Sequence, residues 1–261
     1  MIDKTEKLCN IISINGGNGQ KIQKNAACRT VGGGGKMPEY RVVRSKRKTL
    51  GIYVLEDGQI EVRCSRHISD GEIEKFVAKH RHKLDFQADK KRQQVKKKAE
   101  FSLQPGDSLL YLGREYPLKT VTARKAGFDF ESFFVPEGLS GEESRQLIIK
   151  VYKSLARKIL MQKTLDFARQ MGLTPGSVKI TSAKKRWGSC TSKKNINYSW
   201  RLIMAPESAV NYVVIHELAH LAQLNHSRRF WQLVEKYVPD RKEQSGKLRE
   251  LQDRLSVENW D

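Results

Sequence analysis

HELAHLAQLNH, residues 216–226, is the stretch on which the reading of this chain turns. In a helix each residue advances about 100° and 1.5 Å, so His216 and His220 lie one turn apart on one face and can point both imidazoles at a single ion. Glu217 stands between them. Neutral imidazoles hold Zn²⁺ at about 2.0–2.1 Å, and a carboxylate beside the ion can take a proton from its bound water, which is the arrangement of a hydrolytic zinc site. His226 introduces a conflict, because unbroken helix would carry it about 15 Å along the axis from His216, too far to share an ion. The helix is therefore expected to end after His220 and fold back, with Asn225 in the left-handed conformation as the turning residue. Ser227 then caps a second helix, in which Phe230, Trp231, Val234 and Val238 recur as an apolar face. His226 belongs at the corner between the two helices, as a third ligand.

A His-Glu-x-x-His match arises by accident in roughly one chain of this length in a hundred, on ordinary residue usage, so context has to decide. The preceding run APESAVNYVVI puts Pro206 near a helix start and aligns Val210, Val213, Val214 and Leu218 as a buried face. That context favours a metal site. The bland alternatives are a polar residue ahead of an N-cap for His226 and a solvated helix carboxylate for Glu217. Cys190 reads as a small buried thiol and not as a further ligand.

Residues 186–231, RWGSCTSKKNINYSWRLIMAPESAVNYVVIHELAHLAQLNHSRRFW, resemble the YgjP-like metallopeptidases, a branch of the zincins related to the Spartan-type proteases. The similarity extends upstream into YRVVRSKRKTLGIYVLEDGQIEVR and so covers most of the chain from Met37 onward. It implies zinc ligands at His216, His220 and His226, with Glu217 as general base. The histidine spacing equals that of the metzincins, but Gln223 stands where they carry a turn glycine. This assigns the chain to the YgjP-like group and leaves the turn to Asn225. The fold class implied is α+β, a zincin-like metallopeptidase domain with an N-terminal antiparallel β-rich lobe.

In a zincin the strand edge beside the metal aligns an extended substrate by main-chain hydrogen bonds. Arg186, Trp187, Gly188 and Ser189 are the substrate-binding candidates here. Arg186 can meet a carboxylate or phosphate, and Gly188 permits close backbone approach. For Trp187 a core role is equally open, and all four can instead serve to shape the hairpin.

The leading activity is peptide hydrolysis by a Glu-activated, zinc-bound water. Resemblance also offers a metal-dependent nucleoside triphosphate (UTP-type) pyrophosphatase, with Lys184, Lys185 and Arg186 neutralising the polyphosphate. A third class is a nucleic-acid-associated protease, in line with a formal net charge of +20 from 49 Lys and Arg against 29 Asp and Glu. Basic residues gather in RVVRSKRK (41–48), KKRQQVKKK (90–98) and KKR (184–186), and only the last adjoins the expected cleft. No apolar run approaches the roughly 18 residues of a membrane span, so membrane embedding is excluded. Cys9, Cys28, Cys64 and Cys190 show no paired metal spacing, and a reducing cytoplasm is the expected location.

Three segments are expected. Residues 1–36, with INGGNGQ and VGGGGK, read as a disordered extension, and Met37 as a candidate initiator. Residues 37–138 read as a β-rich lobe: a small antiparallel sheet with a hairpin at Asp57-Gly58, a covering helix capped by Ser69 or Asp70, a basic linker or helix end, and further strands interrupted by Gly113 and Pro117. Residues 139–261 read as the helical metal-binding lobe. It opens with a long helix lined by Leu147, Val151, Leu155, Ile159 and Leu165 and stopped at Gly172, continues through a hairpin turning at 193–195, and closes with a C-terminal helix.

Overall fold

The computed structural model describes residues 30–31, 38–122 and 124–260, which form two compact units divided between Glu100 and Phe101. Most of the expected extension, and Met37, lie outside the described residues. Thr30–Val31, β1, are the described part of it and pair antiparallel with Tyr40 and Arg41.

The first unit continues with β2 (Tyr40–Ser45), β3 (Gly51–Val54), β4 (Ile60–Ser65) and α1 (Asp70–Glu100). β3 and β4 form the expected antiparallel hairpin, with Gly58 at φ 81 in its turn. The expectation of a purely antiparallel sheet is corrected, because β2 runs parallel to β4 in the order β1-β2-β4-β3. Alternating apolar residues fix which face of a strand is buried but carry no direction, so either pairing suits the pattern. α1 begins at a capping box in which the Ser69 hydroxyl accepts from the Glu72 N–H while the Glu72 carboxylate accepts from the Ser69 N–H. Ile73, Phe76, Val77, Leu84 and Ala88 bury its inner face against Ile52, Ile60 and Val62 of the sheet. Of the two readings of the basic run 90–98, linker or helix end, the second holds: Lys, Arg and Gln are good helix formers and the run continues α1 to Glu100.

The second unit begins at Phe101 and not at residue 139, a correction that follows from packing. β5 (Ser108–Tyr111), β6 (Arg114–Val121), β7 (Gly127–Phe128) and β8 (Phe133–Pro136) form a four-stranded sheet, and Leu109, Leu118, Phe133 and Val135 share one core with Ile148 and Tyr152 of α2 (Gly141–Met171). Pro117 sits within β6 and Gly113 in the β5–β6 turn.

α2 is capped by Ser140 with Glu143 in a capping box and stopped by Gly172 at φ 65. Its buried stripe runs through Ile148, Tyr152, Ala156, Leu160, Thr164 and Ala168, one position from the expected one. Leu147, Val151, Leu155 and Ile159 flank that stripe half-buried, and Leu165 is exposed. Tyr152 decides the rotation. Its ring stacks with Trp200 at 5.4 Å, and its hydroxyl donates to the Leu110 carbonyl at 2.7 Å, a bond a helix turned to bury Leu147 and Val151 would lose.

β9 (Val178–Thr181), β10 (Gly188–Cys190) and β11 (Ile196–Ser199) make a second sheet in the order β10-β11-β9, leaving β10 at an edge. The β10–β11 hairpin turns at 191–195 as expected, with Lys194 left-handed at φ 60. A 3-10 turn (Trp200–Met204) leads to α3 (Glu207–Ala219), followed by α4 (Arg228–Tyr237) and α5 (Arg241–Leu255). α3 packs against α2, α4, α5 and β10 and is buried nearly all round, which is why its sequence is apolar beyond one stripe. Among the described residues no helix is long and apolar enough to cross a membrane.

Candidate metal centre

His216 lies in the last turn of α3, and His220 is its C-cap. Beyond Ala219 the chain tightens: the N–H of Leu221 bonds the Leu218 carbonyl at 2.9 Å, Ala222 bonds Ala219 at 3.1 Å, and Gln223 bonds Ala219 at 2.9 Å. These turns reverse the chain. Asn225 is not the left-handed hinge, since the described non-glycine residues with positive φ are Leu112, Phe130 and Lys194. A run of three- and four-residue turn bonds achieves the reversal without an αL residue. Ser227 caps α4 as expected, its hydroxyl accepting from the Phe230 N–H at 3.4 Å.

The reversal brings His226 back to α3. One ligand nitrogen from each of His216, His220 and His226 lies within 4.8 Å of the others, and Nε2 of His226 is 3.2 Å from Nε2 of His216. Two nitrogens each about 2.0–2.1 Å from a tetrahedral ion would lie about 3.3 Å apart, so this pair already has the spacing of a shared ion. The chemistry of the donor set agrees. Burial, with the neighbouring imidazoles of His220 and His226, depresses His216 to about 4, and burial likewise lowers His220. Near pH 7 their ring nitrogens therefore keep free lone pairs. Nδ1 of His220 lies 3.1 Å from the Gln223 carbonyl, a bond that puts the proton on Nδ1 and turns the Nε2 lone pair toward the other rings. The three residues fit a divalent metal.

Phe230, 0% exposed, forms the floor under all three rings, with centroids 5.0, 4.6 and 4.7 Å from those of His216, His220 and His226. Trp231 stacks on His226 at 5.4 Å, and the Arg241 guanidinium lies 4.2 Å over the Trp231 ring. The sequence marked Phe230 and Trp231 only as an apolar face. Their position immediately after His226 was the available signal.

Glu217 is buried, and its Oε2 has no hydrogen-bond partner. Burial raises its carboxyl to about 7 against the opposing charge of Arg186. A buried, unsatisfied carboxylate is costly and persists where something else is served. Its other neighbour is Gly188, where an added Cβ would lie 2.6 Å from Oε1 of Glu217 and 2.7 Å from its Cγ. The Glu217 side chain thus lies directly against the Gly188 backbone.

The remaining expected substrate residues fall on or beside β10. Ser189 Oγ accepts from Asn197 Nδ2 at 3.5 Å, and the Trp187 carbonyl accepts from the Ser199 N–H at 2.8 Å, both holding the hairpin together. Arg186 is exposed and acts on Glu217 through its charge. Trp187 packs partly against the core and lines a cavity of about 390 Å³ that opens beside His216 and Glu217. Ser245, Leu248, Arg249 and Gln252 of α5 form another wall of that cavity. The sequence reading missed them, although their helical spacing was legible. Cys190 is half-buried on β10, its thiol pushed up by burial and by the Glu217 charge.

A family model described as YgjP-like, metallopeptidase domain matches residues 48–251, more than half of the chain. No curated protein and no solved structure matches it.

Proposed function

Because the chain belongs to the YgjP-like metallopeptidase family, we propose that it is a zinc peptidase in which His216, His220 and His226 hold the ion and Glu217 moves the proton. The observation that carries this reading is the convergence of three imidazole nitrogens within 4.8 Å beside a buried carboxylate whose Oε2 is unpartnered. When bound, Zn²⁺ supplies a Lewis acid that makes water more acidic and polarises a carbonyl. Glu217, buried beside the three imidazoles with its Oε2 unpartnered, is placed to accept a proton from the attacking water and to return it to the departing amine. Gly188 holds that carboxylate against β10, and the Gln223 carbonyl fixes the His220 ring. β10, as the edge strand, offers free main-chain groups on which an extended peptide can align, with Arg186, Trp187, Gly188 and Ser189 on the substrate side. The zincin-like character of the domain belongs to the same proposal.

Metal content by mass spectrometry together with turnover of unfolded protein tests the reading. Wild type should carry near-stoichiometric zinc and cleave. Glu217→Gln should keep the zinc and lose at least about 10²-fold in rate, the scale of a missing general base. Stoichiometric zinc in His226→Ala, or an active Glu217→Gln, would refute the assigned roles.

A further inference from the structure

The cavity beside Glu217 is larger than proton transfer requires, and its lining is chemically specific. Ser245, Leu248, Arg249 and Gln252 fall at i, i+3, i+4 and i+7 and so form a single face of α5. Leu248, Val213, Tyr212 and Trp187 supply apolar surface, while Lys185 from the approach to β10 and Arg249 from α5 supply positive charge. Glu217 is the only carboxylate in the lining. Arg249 is exposed, and among the described residues it forms no ion pair.

We infer that this cavity receives the substrate residue flanking the scissile bond and selects one that bears a carboxylate, either an Asp or Glu side chain or the free C-terminus of the chain. The inference rests on the peptidase reading above. A volume of about 390 Å³ lies at the small end of the roughly 300–1,000 Å³ typical of ligand pockets, room for a residue or two of an extended chain. The apolar walls take a methylene stem. Arg249 can pair with a substrate carboxylate at the α5 wall, which leaves the scissile carbonyl beside Glu217 at the opposite wall.

The test compares kcat/KM for zinc-loaded protein on C-terminally amidated peptides that differ only in Glu, Gln or Lys beside the cleaved bond, and on a second series whose flanking residue ends the chain with a free carboxylate. Wild type should favour Glu or the free carboxylate about tenfold, Arg249→Gln should remove the preference, and Arg249→Glu should invert it toward Lys. Preference in the amidated series assigns the side chain, and preference confined to the second series assigns the terminus. Equal rates across the peptides, or a preference unchanged in Arg249→Glu, would overturn the inference. If wild type cleaves no peptide, the peptidase reading falls by itself. Equilibrium binding of the same peptides to Glu217→Gln protein then decides the pocket: the same order of affinities supports the inference, and its absence, or Arg249-dependent displacement of peptide by UTP, overturns it.

Discussion

Glu217 rests directly on the backbone of Gly188, so closely that a Cβ at position 188 would lie 2.6 Å from Oε1 and 2.9 Å from Cδ. An alanine there must displace the carboxylate, because the Glu217 side chain is the movable partner. Misplacing a reacting group by about 1 Å can cost on the order of 10²-fold in rate. Gly188→Ala is therefore expected to lower kcat by about 10- to 100-fold while zinc content, measured by mass spectrometry, stays at the wild-type level. Wild-type kcat in the variant would show that the contact does not position Glu217.

Phe230 touches all three imidazoles and is fully buried, so its removal should damage stability and site together. Truncating a buried Phe to Ala costs about 3–5 kcal/mol. Phe230→Leu retains most of the apolar volume and should recover most of that stability, but without the flat ring the histidines lose their floor. Calorimetric unfolding is expected to separate the variants by stability, with a zinc chelator stripping metal from Phe230→Leu faster than from wild type. Equal stripping rates would reduce Phe230 to a packing residue.

In the first unit, Glu61 of β4 is buried and paired with Arg41 and, at 2.6 Å, with Arg63. Burial works to raise its carboxyl, but the hydrogen bonds and charges of Arg63 and Arg41 outweigh it and leave the carboxyl below the ordinary 4.5. The folded state thus binds fewer protons at this site than the unfolded state, so its contribution is complete above about pH 4.5 and is lost as pH falls through the lower folded value. Hydrogen bonds to charged groups contribute about 1.5–3 kcal/mol. Glu61→Gln should lower the stability of the first unit by about that much at pH 7, and the gap to wild type should close in acid. A gap independent of pH, measured by chemical denaturation, would rule out the charge as its source.

What the sequence made legible was local chemistry with a fixed period: the histidine spacing, the Ser69 and Ser227 caps, Gly172 as a stop, and the hairpin turning at Lys194. What stayed hidden was set by partners distant in sequence. Strand alternation gave no direction for β2, and the rotation of α2 followed from the bond of Tyr152 to Leu110. The unit boundary followed from which core β5 to β8 join. Within the candidate site, the contact of Gly188 with the Glu217 side chain was not read from the sequence, and α5 was read as a closing helix although one of its faces lines the cavity.

The return of the chain from His220 to His226 was read from Asn225, whereas the bonds that make it are those of Gln223: its carbonyl meets His220 Nδ1 at 3.1 Å and its N–H bonds the Ala219 carbonyl at 2.9 Å. Both groups belong to the main chain. Gln223→Ala preserves them and should leave zinc affinity and turnover within about twofold of wild type, the ±0.5 kcal/mol expected of a substitution that breaks no contact. Gln223→Pro removes the N–H and constrains φ, so the turn opens and the His220 ring loses its anchor. Disturbing the partner of a metal-ligating histidine costs about 10- to 100-fold in metal affinity. Competition with a chelator of known affinity should accordingly leave Gln223→Ala unchanged and weaken Gln223→Pro. Equal weakening in both would place the anchor in the Gln223 side chain and not in its backbone.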